Sequence, residues 1–215
     1  MDGELFPRAR TQVAPGAVHV PDWLDTEHQS ELLEACRAWA RPPAGLRTVR
    51  TPGGGTMTAR QVCLGWHWHP YAYAYARTVV DGDGASVKPF PDWLGELGRR
   101  AVRDTLGGPA PAYDIALINF YDADARMGMH RDSDEKSDAP VVSLSLGDTC
   151  VFRFGNPETR TRPYTDVELR SGDLFVFGGP SRLAYHGVPR VHGATAPPGL
   201  GLTGRLNITL RVSGL

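Results

Sequence analysis

His130-Arg131-Asp132 sets an imidazole and a carboxylate two positions apart. An extended chain turns both side chains to one face, where they can hold a single ion. A third donor has to come from elsewhere, and His186, in Tyr185-His186-Gly187 after a strand-like run ending at Gly178-Gly179, is placed to supply it. Two histidines and one carboxylate on one face of a metal, with its other positions open, are the arrangement of non-haem iron(II) oxygenases. His-x-Asp by itself is weak, since histidine is common at surface turns. His19, His28, His67, His69 and His192 have no carboxylate at matching spacing and read as surface or core histidines.

The segment Arg205 to Val212 adds weight. Leu206, Ile208, Leu210 and Val212 share one face by period two, and Arg205, Asn207, Thr209 and Arg211 share the other. Alone, this is a strand with one wet face. Turned into a barrel that also carries His-x-Asp and a distal His, its two guanidinium groups require anionic partners, because an unpaired buried charge is very costly. A dicarboxylate cosubstrate would supply them. Asn119 and Tyr121, also two apart, project together from the strand that ends just before the loop carrying His130, and could donate to the same dicarboxylate.

These groups need a scaffold. After Gly108 the runs 112–121, 141–146, 151–154, 166–169, 174–177 and 206–212 read as short strands between turn residues, the pattern of a β-sandwich or jelly roll. Upstream, Thr26-x-x-Gln29 has the form of a capping box, followed by Leu32, Leu33, Cys36 and Trp39 at helical spacing, which predicts a helix over 26–40. A second helix is expected over 92–106, with Leu94, Leu97 and Ala101 inward and Gly107 as its stop. Between the helices lies a loop-and-strand region, 41–90, rich in Gly, Pro, Trp and Tyr. Both helices would pack outside one sheet, giving a helix-buttressed jelly roll with an N-terminal elaboration.

A chain of 215 residues, 41% hydrophobic, suits one core domain with a smaller appendage rather than two full domains. Cys36, Cys63 and Cys150 are odd in number and unrelated in spacing, and read as small buried apolar side chains. No run approaches the roughly 18 to 20 apolar residues of a membrane span, and the start lacks a signal peptide's apolar stretch, so a cytoplasmic protein is expected. The formal charge of −1 provides no global positive field, so nucleic-acid binding would need a local patch. Almost all basic residues are arginine, only Lys88 and Lys136 being lysines, a bias that genome composition produces as readily as phosphate binding does.

The chain resembles the AlkB family over about residues 15 to 213. The resemblance rests on Thr51-Pro-Gly-Gly54 with Thr56-Met57, Leu64-Gly65-Trp66, Asn119-x-Tyr121 and His130-x-Asp132-x-Asp134-Glu135. It continues through Pro140 to Gly147, Phe152-x-Phe-Gly155, Gly172-Asp173, Gly178 to Gly187 and Arg205-x-Asn207-x-Thr-x-Arg211. It implies a mainly β protein with flanking helices (α+β), a double-stranded β-helix (jelly roll) with an N-terminal nucleotide-recognition lid. The expected divisions are a flexible terminus over 1–14, helical buttress and lid over 15–107, and catalytic core over 108–215.

The resemblance further implies an enzyme that uses Fe(II), 2-oxoglutarate and O2 to demethylate bases of the 1-methyladenine or 3-methylcytosine type, releasing formaldehyde, succinate and CO2. His130, Asp132 and His186 would bind iron. Arg205 would pair with the far carboxylate of 2-oxoglutarate, helped by Asn119, Tyr121 and Asn207, with Arg211 near the metal-bound carboxylate and the base. Trp66 would stack on the damaged base opposite the His130 ring, with Asp134 at the base edge; an electron-rich ring and a carboxylate both favour a cationic base. Tyr73 and Tyr75 either touch the nucleic acid or form the aromatic face of an edge strand. Arg160 and Arg162 lie in a segment that varies within the family and influences which strand type is gripped. The implied substrate is alkylated single- or double-stranded DNA, with RNA as an alternative; no membrane is involved and the protein acts as a monomer. The same iron core hydroxylating a protein or small metabolite is disfavoured by the aromatic lid. A non-catalytic cupin-like module leaves Arg205, Asn207 and Arg211 unexplained.

Overall fold

The computed structural model describes residues 7–51, 53–70, 72, 74–109 and 111–215. Its first half contributes β1 (Thr11–Ala14), β2 (Ala17–Val20), α1 (Thr26–Ala40), β3 (Arg47–Arg50), β4 (Thr56–Leu64), β5 (His67–His69), β6 (Ala74–Ala76) and α2 (Asp92–Thr105). The second half is almost wholly strand: β7 (Ile115–Tyr121), β8 (Met127–His130), β9 (Val141–Gly147), β10 (Thr149–Phe154), β11 (Thr165–Leu169), β12 (Leu174–Phe177), β13 (His186–His192) and β14 (Arg205–Arg211).

Residue alternation along the strands separates two cores. Leu174 and Val176 of β12, Leu144 and Leu146 of β9 and the apolar row Leu206, Ile208 and Leu210 of β14 face Leu32, Leu33 and Cys36 of α1 and Leu94, Ala101 and Val102 of α2. The alternate residues Phe175 and Phe177 face the other way and meet Phe152, Phe154, Val188 and Val191 of a second sheet. The large sheet runs β1-β2-β12-β9-β14-β7-β4-β3 and the small one β11-β10-β13-β8, with β5-β6 as a separate hairpin. Two antiparallel sheets enclosing an aromatic interior, with helices outside the larger, are the expected helix-buttressed jelly roll. All three cysteines are buried and unpaired. No helix among the described residues is long and apolar enough to cross a membrane.

Two local expectations need correcting. Helix α1 is capped by Asp25, whose Oδ1 accepts from the His28 backbone N–H at 2.9 Å, not by Thr26. A carboxylate is the better acceptor and suits the positive end of the helix dipole. Gln29 turns away, donating to the Leu24 carbonyl and accepting from Ser171 Oγ. Within 15–107, β2, β3 and β4 extend the large sheet of the β-helix and so cover the edges that β12 and β7 would otherwise expose. Not all of 1–14 is loose: Thr11–Ala14 is a strand paired with β2.

Asp173 ties this N-terminal edge down. Arg8 donates to both of its oxygens at 2.7 and 2.8 Å, His19 Nε2 lies 2.9 Å away, and the backbone N–H groups of Asp22 and Arg170 donate at 3.0 Å. Burial alone would push this carboxyl up, but the bonds from His19, Arg8 and the two amides outweigh it and hold the pKa at about 2, from an ordinary 3.8. A depressed carboxyl pKa stabilises the fold fully above the unfolded value, and the contribution is lost as pH falls toward the folded value. Asp173→Asn is therefore expected to cost about 2 kcal/mol at neutral pH. In urea unfolding of the two proteins side by side, the difference should hold down to about pH 4 and shrink toward pH 2. A difference that stays constant across that window would remove the ionised Asp173 from the account.

Candidate active site

Strands β8 and β13 pair antiparallel with His130 opposite His186, which brings the two imidazole centroids to 4.5 Å. Asp132 lies just past the end of β8, its Oδ2 3.6 Å from His186 Nε2 and its Oδ1 3.7 Å from His130 Nε2. One ligand atom from each of the three lies within 4.8 Å of the others. Each imidazole engages a backbone carbonyl through Nδ1, His130 that of Gly128 at 2.9 Å and His186 that of Ala184 at 3.0 Å. A proton held on Nδ1 leaves the Nε2 lone pair pointing at the common centre.

The electrostatics keep these donors in metal-binding form. Burial, followed by the neighbouring His130, lowers His186 to about 4, so its imidazole is neutral at physiological pH. Burial opposes ionisation of Asp132, yet Arg211 and then the two histidines overcome it and hold the carboxyl at about 2. Arg211 Nη2 occupies Oδ1 at 2.7 Å, while Oδ2 is buried and has no hydrogen-bond partner among the described residues. An orphaned carboxylate oxygen beside two imidazole nitrogens fits a divalent cation.

Glu135, whose side chain is fully enclosed, organises the cations. It takes Arg211 Nη1 at 2.9 Å, Arg182 Nη2 at 3.0 Å and the Tyr75 hydroxyl. Arg182 also donates through Nη1 to the Asp132 carbonyl at 2.6 Å. Burial raises the Glu135 carboxyl, but the Arg211 charge together with the hydrogen bonds from Tyr75 and Arg211 outweighs it and the net shift is downward.

The polar row of β14 points into the barrel. In the sheet register Arg205 sits between Tyr121 and Gly147, and Asn207 between Asn119 and Ser145, with Gln61 beyond Asn119. Gln61 Nε2 donates to Asn119 Oδ1 at 3.1 Å, and Asn207 Nδ2 donates to Ser143 Oγ at 2.7 Å. Arg205 is only 1% exposed. It donates through Nη2 to Ser145 Oγ at 2.9 Å, whereas Nε and Nη1 are buried without partners and no carboxylate of the described chain faces it. A charge this deep and this incompletely bonded fits an anion supplied from outside the chain.

A cavity of about 680 Å³ opens onto His130 and Asp132 of the triad, lined also by Asn119, Arg211, Trp68 and Asp134 among others. Of the residues expected to meet substrate, Asp134 and Arg160 line it and Trp66 does not. Trp66, like Trp68 and Tyr75, packs against the cluster of Cys63, Ile115 and Leu117, and the Arg77 guanidinium covers the Trp66 ring at 3.4 Å. The reason is the turn that precedes it. Gly65 has φ +75 and a Cβ there would stand 1.9 Å from the Asp114 carbonyl, so the chain turns tightly before Trp66, and it is Trp68 of the following strand that borders the cavity. Arg162 also lies off the cavity, against Tyr164, and Tyr75 is held by Glu135 beside Arg211. Tyr73 lies outside the described residues. Glu135, Arg182, Gln61 and Trp68 carried no assigned role in the sequence. Glu135 had a signal, the acidic pair that follows His-x-Asp, whereas the others become visible only through their contacts.

The sequence model described as the 2OG-Fe(II) oxygenase superfamily matches residues 16–211. The chain is 38% identical over 203 residues to an alpha-ketoglutarate-dependent dioxygenase AlkB homolog of Caulobacter vibrioides, covering 93% of this chain and 88% of that protein. It is 30% identical to an Arabidopsis thaliana protein named as a DNA N(6)-methyladenine demethylase, ALKBH1D, covering 93% of this chain and half of the longer relative. The solved structure of OsALKBH1 superposes with a TM-score of 0.86 at 31% identity, covering 94% of this chain and 99% of the other.

Proposed function

The chain belongs to the AlkB family within the 2OG-Fe(II) oxygenase superfamily, and from that premise we propose the residue roles and substrate form through which it works. It is an Fe(II)- and 2-oxoglutarate-dependent dioxygenase that demethylates nucleic-acid bases. The observation that carries the site assignment is the buried, unpartnered Asp132 Oδ2 set beside the Nε2 atoms of His130 and His186. These three hold the metal. Arg205 receives the far carboxylate of 2-oxoglutarate, with Asn119, Tyr121 and Asn207 lining the same lane. When bound, iron and 2-oxoglutarate with O2 supply the oxidation of the substrate's N-methyl carbon, which leaves as formaldehyde, with succinate and CO2 as the other products.

The chain's own groups position and protect. Arg211 occupies Asp132 Oδ1 and thereby directs Oδ2 to the metal. The Gly128 and Ala184 carbonyls fix the two histidine tautomers. The Phe152 and Phe177 rings pack around His186, with Phe175 against both of them, and exclude water from that side. Because a base inside a duplex hides its methyl group, the target must enter the cavity flipped out or in a single strand. Trp68 and the Asp134 carboxylate at the cavity favour a cationic base, which supports 1-methyladenine and 3-methylcytosine over neutral N6-methyladenine. The proposed form is a cytoplasmic monomer acting on alkylated single- or double-stranded DNA, with RNA as the alternative polymer; Arg160 at the cavity rim is its phosphate contact.

The test is succinate formation from 2-oxoglutarate by the iron-loaded protein with a 1-methyladenine, an N6-methyladenine or an unmodified oligonucleotide. The 1-methyladenine strand should stimulate succinate most and release formaldehyde in equal amount. Equal succinate with all three strands and no formaldehyde would overturn the base-repair reading.

A further inference from the structure

A row of polar side chains crosses the large sheet at one level. The strand registers set Arg47 of β3 opposite Gln61 of β4, Gln61 opposite Asn119 of β7, and Asn119 opposite Asn207 of β14. Cross-strand partners share a face, so the four stand side by side. Gln61 is only 2% exposed, and the two ends of its amide are engaged in opposite senses. Oε1 accepts from Arg47 Nη2 at 3.2 Å, and Nε2 donates to Asn119 Oδ1 at 3.1 Å.

Donor counting fixes that direction. A guanidinium has donors and no acceptor, so the Gln61 atom that faces Arg47 is the oxygen. The nitrogen therefore faces Asn119, and Asn119 must turn its own oxygen toward it. Arg47 is itself anchored, Nε donating to Asp81 Oδ1 at 3.0 Å and Nη2 also to the Trp68 carbonyl at 3.1 Å. Asn119 Nδ2 is left without a hydrogen-bond partner among the described residues, on a side chain that lines the cavity. At Asn207, by contrast, both ends of the amide are taken, Nδ2 by Ser143 Oγ at 2.7 Å and Oδ1 by Thr209 Oγ1 at 3.0 Å.

We infer that Gln61 is a positioning residue for the cosubstrate: Arg47 orients Gln61, and Gln61 orients the Asn119 amide so that its NH2 group, not its oxygen, is presented to the 2-oxoglutarate carboxylate. The inference rests on the placement of 2-oxoglutarate beside Asn119 and Arg205 proposed above, and deepens it. An amide with no such partner can present either atom, and an amide oxygen turned toward a carboxylate repels it. Gln61 thus acts on cosubstrate affinity without touching the cosubstrate.

The experiment titrates 2-oxoglutarate without oxygen into the iron-loaded protein and reads its dissociation constant, with chelator competition for iron and the melting curve as controls. Gln61→Glu presents acceptors on both sides, so Arg47 still pairs with it while Asn119 must turn Nδ2 toward it and Oδ1 toward the lane. That variant should bind 2-oxoglutarate roughly ten- to a hundred-fold more weakly, the range for losing a hydrogen bond to a charged group. Gln61→Met keeps the length, removes donor and acceptor together, leaves Asn119 unoriented, and should cost about three- to ten-fold. Asn119→Ala alone should weaken 2-oxoglutarate by about ten-fold or more. In the Asn119→Ala background neither Gln61 substitution should change the constant by more than about two-fold, because the group through which Gln61 acts is gone. A purely structural role, or repulsion between the new carboxylate and 2-oxoglutarate, would give the same loss in both backgrounds, and that result overturns the inference. So does a Gln61→Glu protein that binds 2-oxoglutarate as tightly as wild type. Failure of the underlying placement looks different: Asn119→Ala itself would leave the 2-oxoglutarate constant unchanged, and the orientation of its amide would then have nothing to govern.

Discussion

Asp132→Ala is expected to abolish iron binding and turnover while the protein remains folded. The variant loses the one oxygen in the site that is buried and otherwise unbonded, leaving two imidazoles to hold a cation that the intact site meets with three donors. Loss of an outer-shell partner typically costs 10- to 100-fold in metal affinity or activity, and loss of a ligand exceeds that. The fold should survive for a specific reason. Arg211 keeps its pair with Glu135, and Arg182 donates to the Asp132 carbonyl, which alanine also possesses. The checks are iron content after desalting, competition with a chelator, and the thermal melting curve. Iron retained at wild-type affinity would remove Asp132 from the ligand set. Iron lost together with a collapsed melting curve would mark the residue as structural.

Arg205→Ala should raise the 2-oxoglutarate requirement with little effect on iron. A charge-assisted, bidentate contact to a carboxylate is worth roughly 1.5 to 3 kcal/mol, or about one to two decades in affinity. The structure adds a second readout. With no carboxylate of the described chain facing it, removing the guanidinium strands no counter-charge, so the ligand-free melting point should change only through lost packing and the lost bond to Ser145 Oγ. Wild type should gain about 2.7 kcal/mol of stability at 2-oxoglutarate concentrations a hundred times its Kd. The variant, one to two decades weaker, should gain only about 0.4 to 1.4 kcal/mol at the same concentration. An unchanged KM for 2-oxoglutarate, or an undiminished thermal shift, would move the anion-binding role to another residue of the lane.

Much of this arrangement is legible in the order of residues because its causes are local or periodic. The 3.6-residue spacing of Leu32, Leu33 and Cys36 bounds α1 at 26–40, and Gly107 stops α2 where a positive φ is needed, at +70. Period-two alternation separates Leu206, Ile208 and Leu210 from Arg205, Asn207 and Arg211, and that separation survives as the outer core and the inner polar lane. His-x-Asp and the distal His are legible through chemistry, since few other uses require those donors together.

Tertiary structure alone decided which long-range neighbours those residues meet. The carboxylates that His19 and His67 lack at close spacing are supplied by Asp173 and Asp81 from distant segments. Strand β8 escapes notice in the sequence because it is four residues long and contains Gly128, and β13 because Gly187 and Pro189 break its run; β13 becomes a strand between β10 and β8, and β8 by pairing with β13. Trp66 and Trp68 are two residues apart with the same side chain, so side-chain type and period do not tell which one faces the cavity. The tight turn at Gly65, the Arg77 roof over Trp66 and the hydrogen bond from Trp68 Nε1 to Asp134 Oδ2 make that choice, and all three are contacts between segments that only the folded chain brings together.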